Sequence, residues 1–312
     1  MTASHTGQPA PAAAPRQGLD ILLTAIAPLI WGSTYIVTTQ MLPAGMPLTV
    51  STIRALPTGL LLLLLVRRLP AGIWWVRAFL LGALNFSVFW YLLFVAAYRL
   101  PGGVAATVGA VQPLIVIALA RVFLGRPVRG AVVLAALVGM AGVALLVLTP
   151  SARLDPVGIM ASLGGAVSMA FGTVLSRRWQ PPVSALTFTA WQLVAGGLLL
   201  LPVALLLEPA LPPLDARALA GFAWLGLIGA GVTYVLWFRG VARLEPSVVS
   251  SLGFLSPAMA VTLGWLALQQ ALTVAQMAGV LMVVGSIWLV QRFERSSLSA
   301  GRTASPRPPA KG

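Results

Sequence analysis

Ten apolar runs of roughly twenty residues each follow one another along this chain, cut apart by short clusters of Gly, Pro and Arg. They fall at about 20–41, 47–66, 74–97, 101–124, 130–149, 156–177, 183–206, 217–239, 246–268 and 273–292. A bilayer-spanning helix needs about 20 mainly apolar residues. The pattern therefore predicts an all-α integral membrane protein of ten transmembrane helices. The first run is too long for the core of a signal peptide, and no basic segment precedes it, so it is expected to be an uncleaved span. The stretches 1–18 and 295–312 are rich in Pro, Ala, Ser and Arg and are expected to be disordered tails.

Composition sharpens this reading. Of the 312 residues, 59% are hydrophobic and 8% are charged, where a soluble domain carries about a quarter charged residues. With mean hydropathy at +0.95, lipid is the expected solvent for most of the chain. The net charge of +14 would suit a nucleic-acid binder. The basic residues, however, stand singly or in pairs between apolar runs, as membrane-flanking charges do. The expected partners are therefore the lipid bilayer and a small-molecule substrate, with no nucleic acid. Placing the N-terminus in the cytoplasm puts nearly every basic residue on the inner side. Only Arg99, Arg153 and Arg217 then fall outside, and only Arg54 lies within a run away from its ends. One missed helix would mix the two groups. The Arg- and Ala-rich usage suits a bacterium, so the expectation is a multi-pass bacterial inner-membrane protein with both termini cytoplasmic.

The chain also repeats itself. Residues 99–113 read RLPGGVAATVGAVQP and residues 243–257 read RLEPSVVSSLGFLSP, 144 positions apart. Arg99, Leu100, Val104, Gly109 and Pro113 fall on Arg243, Leu244, Val248, Gly253 and Pro257. RALPTGLLLLL at 54–64 echoes QLVAGGLLLLP at 192–202, and WGST at 31–34 loosely echoes FGTV at 171–174. Gly142 matches Gly285 with the shift reduced by one. Five runs separate the copies. Five is odd, so the copies enter the membrane from opposite sides. Two inverted five-helix repeats are thus expected, at 19–150 and 151–294. Such repeats are typical of secondary transporters, with a binding site near midplane between the halves.

Ten spans, this repeat, WGS in the first run, an arginine in the second and prolines late in the fourth and ninth resemble the EamA type of the drug/metabolite transporter superfamily. The resemblance covers about 20–292. It implies an inner-membrane carrier, often an exporter of amino acids, metabolites or toxic compounds, with its cavity between the early spans of each half. The chain departs from the family where a glutamate usually follows the fourth and ninth spans. Arg126 and Gln270 stand there instead.

The residue inventory weighs against an enzyme. The one histidine is His5 and the one lysine is Lys311, both in the tails. A serine nucleophile inside the membrane therefore lacks a base. Asp20, Asp155, Glu208, Asp215, Glu245 and Glu294 all sit at run ends or in loops. That excludes a paired-aspartate protease and the intramembrane carboxylate that proton-coupled carriers use. With no cysteine and no His or carboxylate cluster, neither a metal site nor a cofactor is expected. The alternatives to a carrier are a multispan receptor or scaffold and a passive channel.

Ten residues are candidates for touching cargo. Arg54 lies about 10 Å below the membrane surface, at 1.5 Å per residue from Pro47. It is read as a partner for an anionic group such as a carboxylate, or else as a side chain that snorkels outward or bonds a carbonyl. Its echo Gln192 would line the opposite end of one passage. Trp31, Ser33 and Tyr35 follow Pro28, which removes a backbone bond and frees a carbonyl. They either face a cavity or only permit close packing beside Gly32. Asn85, near Trp90, is a costly midplane amide that must face protein or water. Cavity and interhelical bond are both open to it. Tyr234, with Trp237, suits either the passage or an interfacial aromatic belt. Gln112 and Ser256 each precede a proline and are read as loosened points along the pathway.

Overall fold

Each apolar run becomes a helix long and apolar enough to cross a membrane. These are α1 (Gln17–Met41), α2 (Pro47–Val66), α3 (Trp74–Ala96), α4 (Ala105–Leu124) and α5 (Gly130–Val147). The second half contributes α6 (Pro156–Arg178), α7 (Ala185–Leu207), α8 (Ala216–Arg243), α9 (Pro246–Ala267) and α10 (Val274–Glu294). The computed structural model describes residues 14–100, 102–147, 155–268 and 273–303. The expectations placed on 1–13, 304–312, Arg153, Gln270 and the side chain of Tyr35 lie outside the described residues. The tail assignments need correction at their inner edges. The first helix already begins at Ala14, and the last runs from Val274 to Thr303.

Three of the spans break midway. In α1, the helices Ala14–Trp31 and Thr34–Met41 are separated by Gly32 and Ser33. Ser33 Oγ donates to Ile30 O at 2.7 Å and so satisfies one of the carbonyls at the break. In α4 the break lies between Gly109 and Gln112, and in α9 between Leu252 and Leu255. The breaks in α4 and α9 each sit just before a proline, Pro113 or Pro257. The ring of a proline clashes with the carbonyl four residues back, which is Gly109 in one case and Gly253 in the other.

Two further spans widen. Ala83–Ser87 in α3 and Trp224–Val232 in α8 take up the looser π-helical turn. They overlap when shifted by 144 positions. Turns of this kind interrupt helices chiefly at functional sites.

The packing respects the duplication. α2 lies along α7, and α5 along α10. α3 packs on α6 as α1 does on α8, α3 on α7 as α2 does on α8, and α4 on α6 as α1 does on α9. Exchanging the two halves maps each pairing onto itself or onto another in the set, as twin modules require. At the α2–α7 crossing the correspondence reaches single atoms. A Cβ on Gly59 would lie 2.7 Å from the Val194 nitrogen, and one on Gly197 would lie 2.7 Å from Leu56 Cβ. Gly59 and Leu56 are the echoes of Gly197 and Val194. Glycine is needed here because the backbones touch. At α5–α10 the close approach is between Gly142 and Gly279, where a Cβ on Gly279 would sit 2.7 Å from Gly142 O. Gly285, the sequence echo of Gly142, faces open space.

With ten crossings, both ends of the chain emerge on one face. Ion pairs tie the helices together there. Asp20 meets Arg239 at 2.6 Å and Arg243 at 3.4 Å, joining α1 to α8. Arg126 meets Glu245 at 3.0 Å, joining the α4–α5 loop to the start of α9. Arg129 pairs with Glu294, which also accepts from Ser247 Oγ at 2.7 Å. Arg126, where the resemblance implies an acid, here bridges the halves. On the opposite face Arg99 meets Asp155 at 3.7 Å, joining the end of α3 to the start of α6. Glu208 accepts the Leu48 and Thr49 amides at 2.7 Å each, covering unpaired donors at the start of α2.

Candidate functional site

Arg54 is carried by α2, five residues before the glycine crossing, and its side chain is buried among α3 and α8. Nη2 donates to Gly229 O at 2.8 Å. Gly229 lies in the π-helical turn of α8. The same oxygen also accepts from Thr233 Oγ1 at 2.9 Å. The guanidinium carbon sits 4.6 Å from the ring centroid of Trp90. Nε is buried with no hydrogen-bond partner. None of the ion pairs among the described residues includes Arg54. Placing such a charge at a helix centre costs about 2.5–3.5 kcal/mol on insertion scales. A desolvated cation–π contact returns about 2 kcal/mol and a charged hydrogen bond about 1.5–3 kcal/mol. The cation is thus held in place without a counter-ion.

Aromatic rings pack beside it. Tyr234 lies 4.6 Å from Phe86 and 4.9 Å from Trp31 between centroids. Trp31 is 5.0 Å from Trp237, and Phe86 is 5.2 Å from Trp90. Trp31 Nε1 donates to Thr233 Oγ1 at 2.9 Å, which fixes the ring against α8 directly below the break in α1. Trp90 and Tyr234 are 144 positions apart, so one ring from each half meets at the centre, with centroids 6.4 Å apart. Both are 2% exposed, as is Trp237. The interfacial-belt reading of Tyr234 and Trp237 is therefore overturned.

The remaining candidates fall into separate places. Ser33 accepts from Trp224 Nε1 at 2.9 Å, at the edge of the aromatic wall. Asn85 and Gln192 go to each other: Asn85 Nδ2 donates to Gln192 Oε1 at 2.8 Å, and neither residue is exposed. The amide is an interhelical bond in a packed setting, with Gly172 of α6 tight against Asn85 Oδ1. Gln192 accordingly lines no passage opposite Arg54. The break at Ser256 packs on the break in α1, since a Cβ on Gly32 would lie 2.7 Å from Ser256 O. Gln112 is half-buried at the equivalent break in α4, next to the half of α4 that packs on α6. Sequence reasoning missed Gly229, Thr233 and Trp224. The glycine run LGLIGAG was the available signal for a special backbone there.

A cavity of about 40 Å³ lies elsewhere, among Arg126, Arg129, Glu245, Ser247 and Glu294 at the face carrying the termini. It has room for water but not for a metabolite, and paired charges line it.

A ten-span bundle of twin modules, with a buried cation and an aromatic wall where broken and widened helices meet, is a secondary-carrier architecture. The chain belongs to the EamA-like transporter family, which matches it over residues 19–148 and 156–292. It is 48% identical to Protein PecM of Dickeya dadantii over 267 residues, 85% of this chain and 90% of that protein. It is 30% identical over 240 residues to an Escherichia coli protein described as the uncharacterized inner membrane transporter YedA, covering 75% of this chain and 78% of that one. A protein of Streptantibioticus cattleyicolor described as a probable terminal-alkyne amino-acid exporter is 22% identical, covering 68% and 72%. A solved crystal structure superposes with a TM-score of 0.75 at 23% identity over 89% of this chain and 99% of its own, a likeness of fold. The chain is a multi-pass membrane transporter and not an enzyme, and the receptor or scaffold reading falls away.

Proposed function

We propose that this protein exports small metabolites across a bacterial inner membrane by alternating access, with the cargo held beside Arg54 between α1, α2, α3 and α8. The single observation that carries this is the counter-ion-free Arg54 packed on Trp90 where the two halves meet. The two repeats, 19–150 and 151–294, would act as the moving modules. The arginine distribution supports placing the face joined by Asp20–Arg239 and Arg126–Glu245 in the cytoplasm. Trp31, Ser33, Arg54, Trp90 and Tyr234 form the contact set in this reading. Gln112, Ser256 and Tyr35 lie on the flanking breaks or beside them, and Asn85 with Gln192 holds the scaffold.

No carboxylate, histidine or lysine lies within the spans away from their ends. Facilitated flux or exchange therefore fits better than proton coupling. Inverted vesicles or proteoliposomes preloaded with candidate metabolites test the reading. Saturable flux with counterflow is expected. Flux that rises linearly with concentration and shows no counterflow would mark a channel instead. Growth of deletion and overexpressing strains across toxic metabolites would narrow the cargo.

A further inference from the structure

We infer that the cargo is a ring-bearing organic monoanion, whose carboxylate or similar acid group pairs with Arg54 while its ring stacks between the aromatic side chains of the two halves. This rests on the carrier reading above and adds the chemical class of the cargo. Three observations support it.

The first is charge. Arg54 is 6% exposed and takes part in none of the ion pairs among the described residues. Every acid in the chain lies at a span end or in a loop. A guanidinium offers five N–H donors in a fork that matches a carboxylate. Here Nε is orphaned in the interior. An anion arriving at that edge would gain a charge-assisted bond without displacing a protein acid.

The second is broken symmetry. Gln192, the echo of Arg54, is neutral and sealed against Asn85. At the position equivalent to Asn85 the other half carries Gly229, which supplies only a carbonyl. Both halves thus have the same crossing, but one is closed by an amide pair and the other keeps an unneutralised cation. A purely structural pair would have no need of that charge.

The third is shape. The guanidinium carbon lies 4.6 Å from the Trp90 ring centroid, and Phe86, Tyr234, Trp31 and Trp237 continue the aromatic cluster. Offset and edge-on ring contacts favour a planar aromatic body over a chain. No carboxylate stands in this wall for an ammonium group, so a net negative cargo is favoured over a zwitterion of the same shape.

The test uses purified full-length protein and a matched pair of probes, phenylacetate and its neutral amide phenylacetamide. Quenching of the intrinsic tryptophan signal reports binding, and proteoliposome counterflow at alkaline pH, corrected for protein-free leak, reports transport. Wild type should bind phenylacetate at least tenfold more tightly than phenylacetamide. Arg54→Gln copies the residue that α7 already carries, and it should bring phenylacetate down to the level of the amide. Arg54→Lys should keep a smaller preference, because the charge remains without the planar fork. Thermal unfolding of each variant separates misfolding from loss of recognition. Equal binding of the two probes to wild type, no binding of phenylacetate, or a preference that survives in folded Arg54→Gln overturns the assignment. Binding with the expected preference but without counterflow upholds the recognition and overturns the carrier reading instead.

Discussion

Asn85 and Gly229 occupy the same place in the two halves, and each is the partner of the polar residue on the helix that crosses it. Asn85 Nδ2 reaches Gln192 Oε1 at 2.8 Å, and Gly229 O takes Arg54 Nη2 at 2.8 Å. Gln192 is the echo of Arg54. The duplication has therefore kept a contact while changing its chemistry on one side.

The neutral member of this pair is expected to act as scaffold. Replacing Asn85 or Gln192 by Leu should destabilise the protein, and a double-mutant cycle should return a coupling of about 0.6–1.7 kcal/mol, the range for hydrogen bonds inside membrane proteins. Reversible unfolding in mixed micelles provides the measurement. Strict additivity would show that the bond contributes nothing.

The glycine crossing makes a second prediction. Gly59→Ala and Gly197→Ala each insert a methyl where 2.7 Å is available, so α2 and α7 must part. Overpacking of this kind costs about 1–3 kcal/mol. The two variants should lower the thermal midpoint by similar amounts. The double variant should lose less than their sum, because one displacement relieves both clashes. Gly285→Ala, which faces open space, should be close to neutral in the same assay.

The ion pairs on the face that carries the termini should control access from that side. The chain has no cysteine, so a single introduced thiol reads accessibility cleanly. Ser250→Cys, buried in the half of α9 nearest that face, should label slowly in the parent. It should label several-fold faster when Asp20→Asn or Glu245→Gln is added. Exchanging the charges of Arg126 and Glu245 together should restore slow labelling. Unchanged rates throughout would confine these pairs to a surface role.

Orientation is testable with the same cysteine-free chain. Val128→Cys in the α4–α5 loop and Val274→Cys at the start of α10, both exposed positions, should react with impermeant reagent from opposite sides. Val128→Cys should react only in inverted vesicles. Labelling of both from one side would demolish the two-module topology.

Much of this architecture was legible in residue order. The phrase shared by 99–113 and 243–257 pointed to the repeat, and Pro113 and Pro257 marked the breaks, because proline acts locally through its own ring. Arg54 stood out as the lone charge away from the ends of a run. The π-helical turns were not legible. They change hydrogen-bond register while leaving hydropathy untouched, and they place Gly229 O within reach of Arg54. The partnership of Asn85 with Gln192 was also hidden. A midplane amide announces that it needs a partner, but only the crossing of α3 with α7 says which. Tyr234 and Trp237 were ambiguous for the same reason, since burial depends on the neighbouring helix.

The bare contact of Gly59 with Val194 has a mechanical meaning. Only backbone and Cβ atoms meet there, so under the alternating-access reading this crossing would be the fulcrum about which the two modules turn. Arg54, about 7.5 Å along the axis from Gly59 at 1.5 Å per residue, sits close to that pivot and travels little. Asp20 and Glu245 lie out at the rim, where the same small rotation becomes the longest stroke.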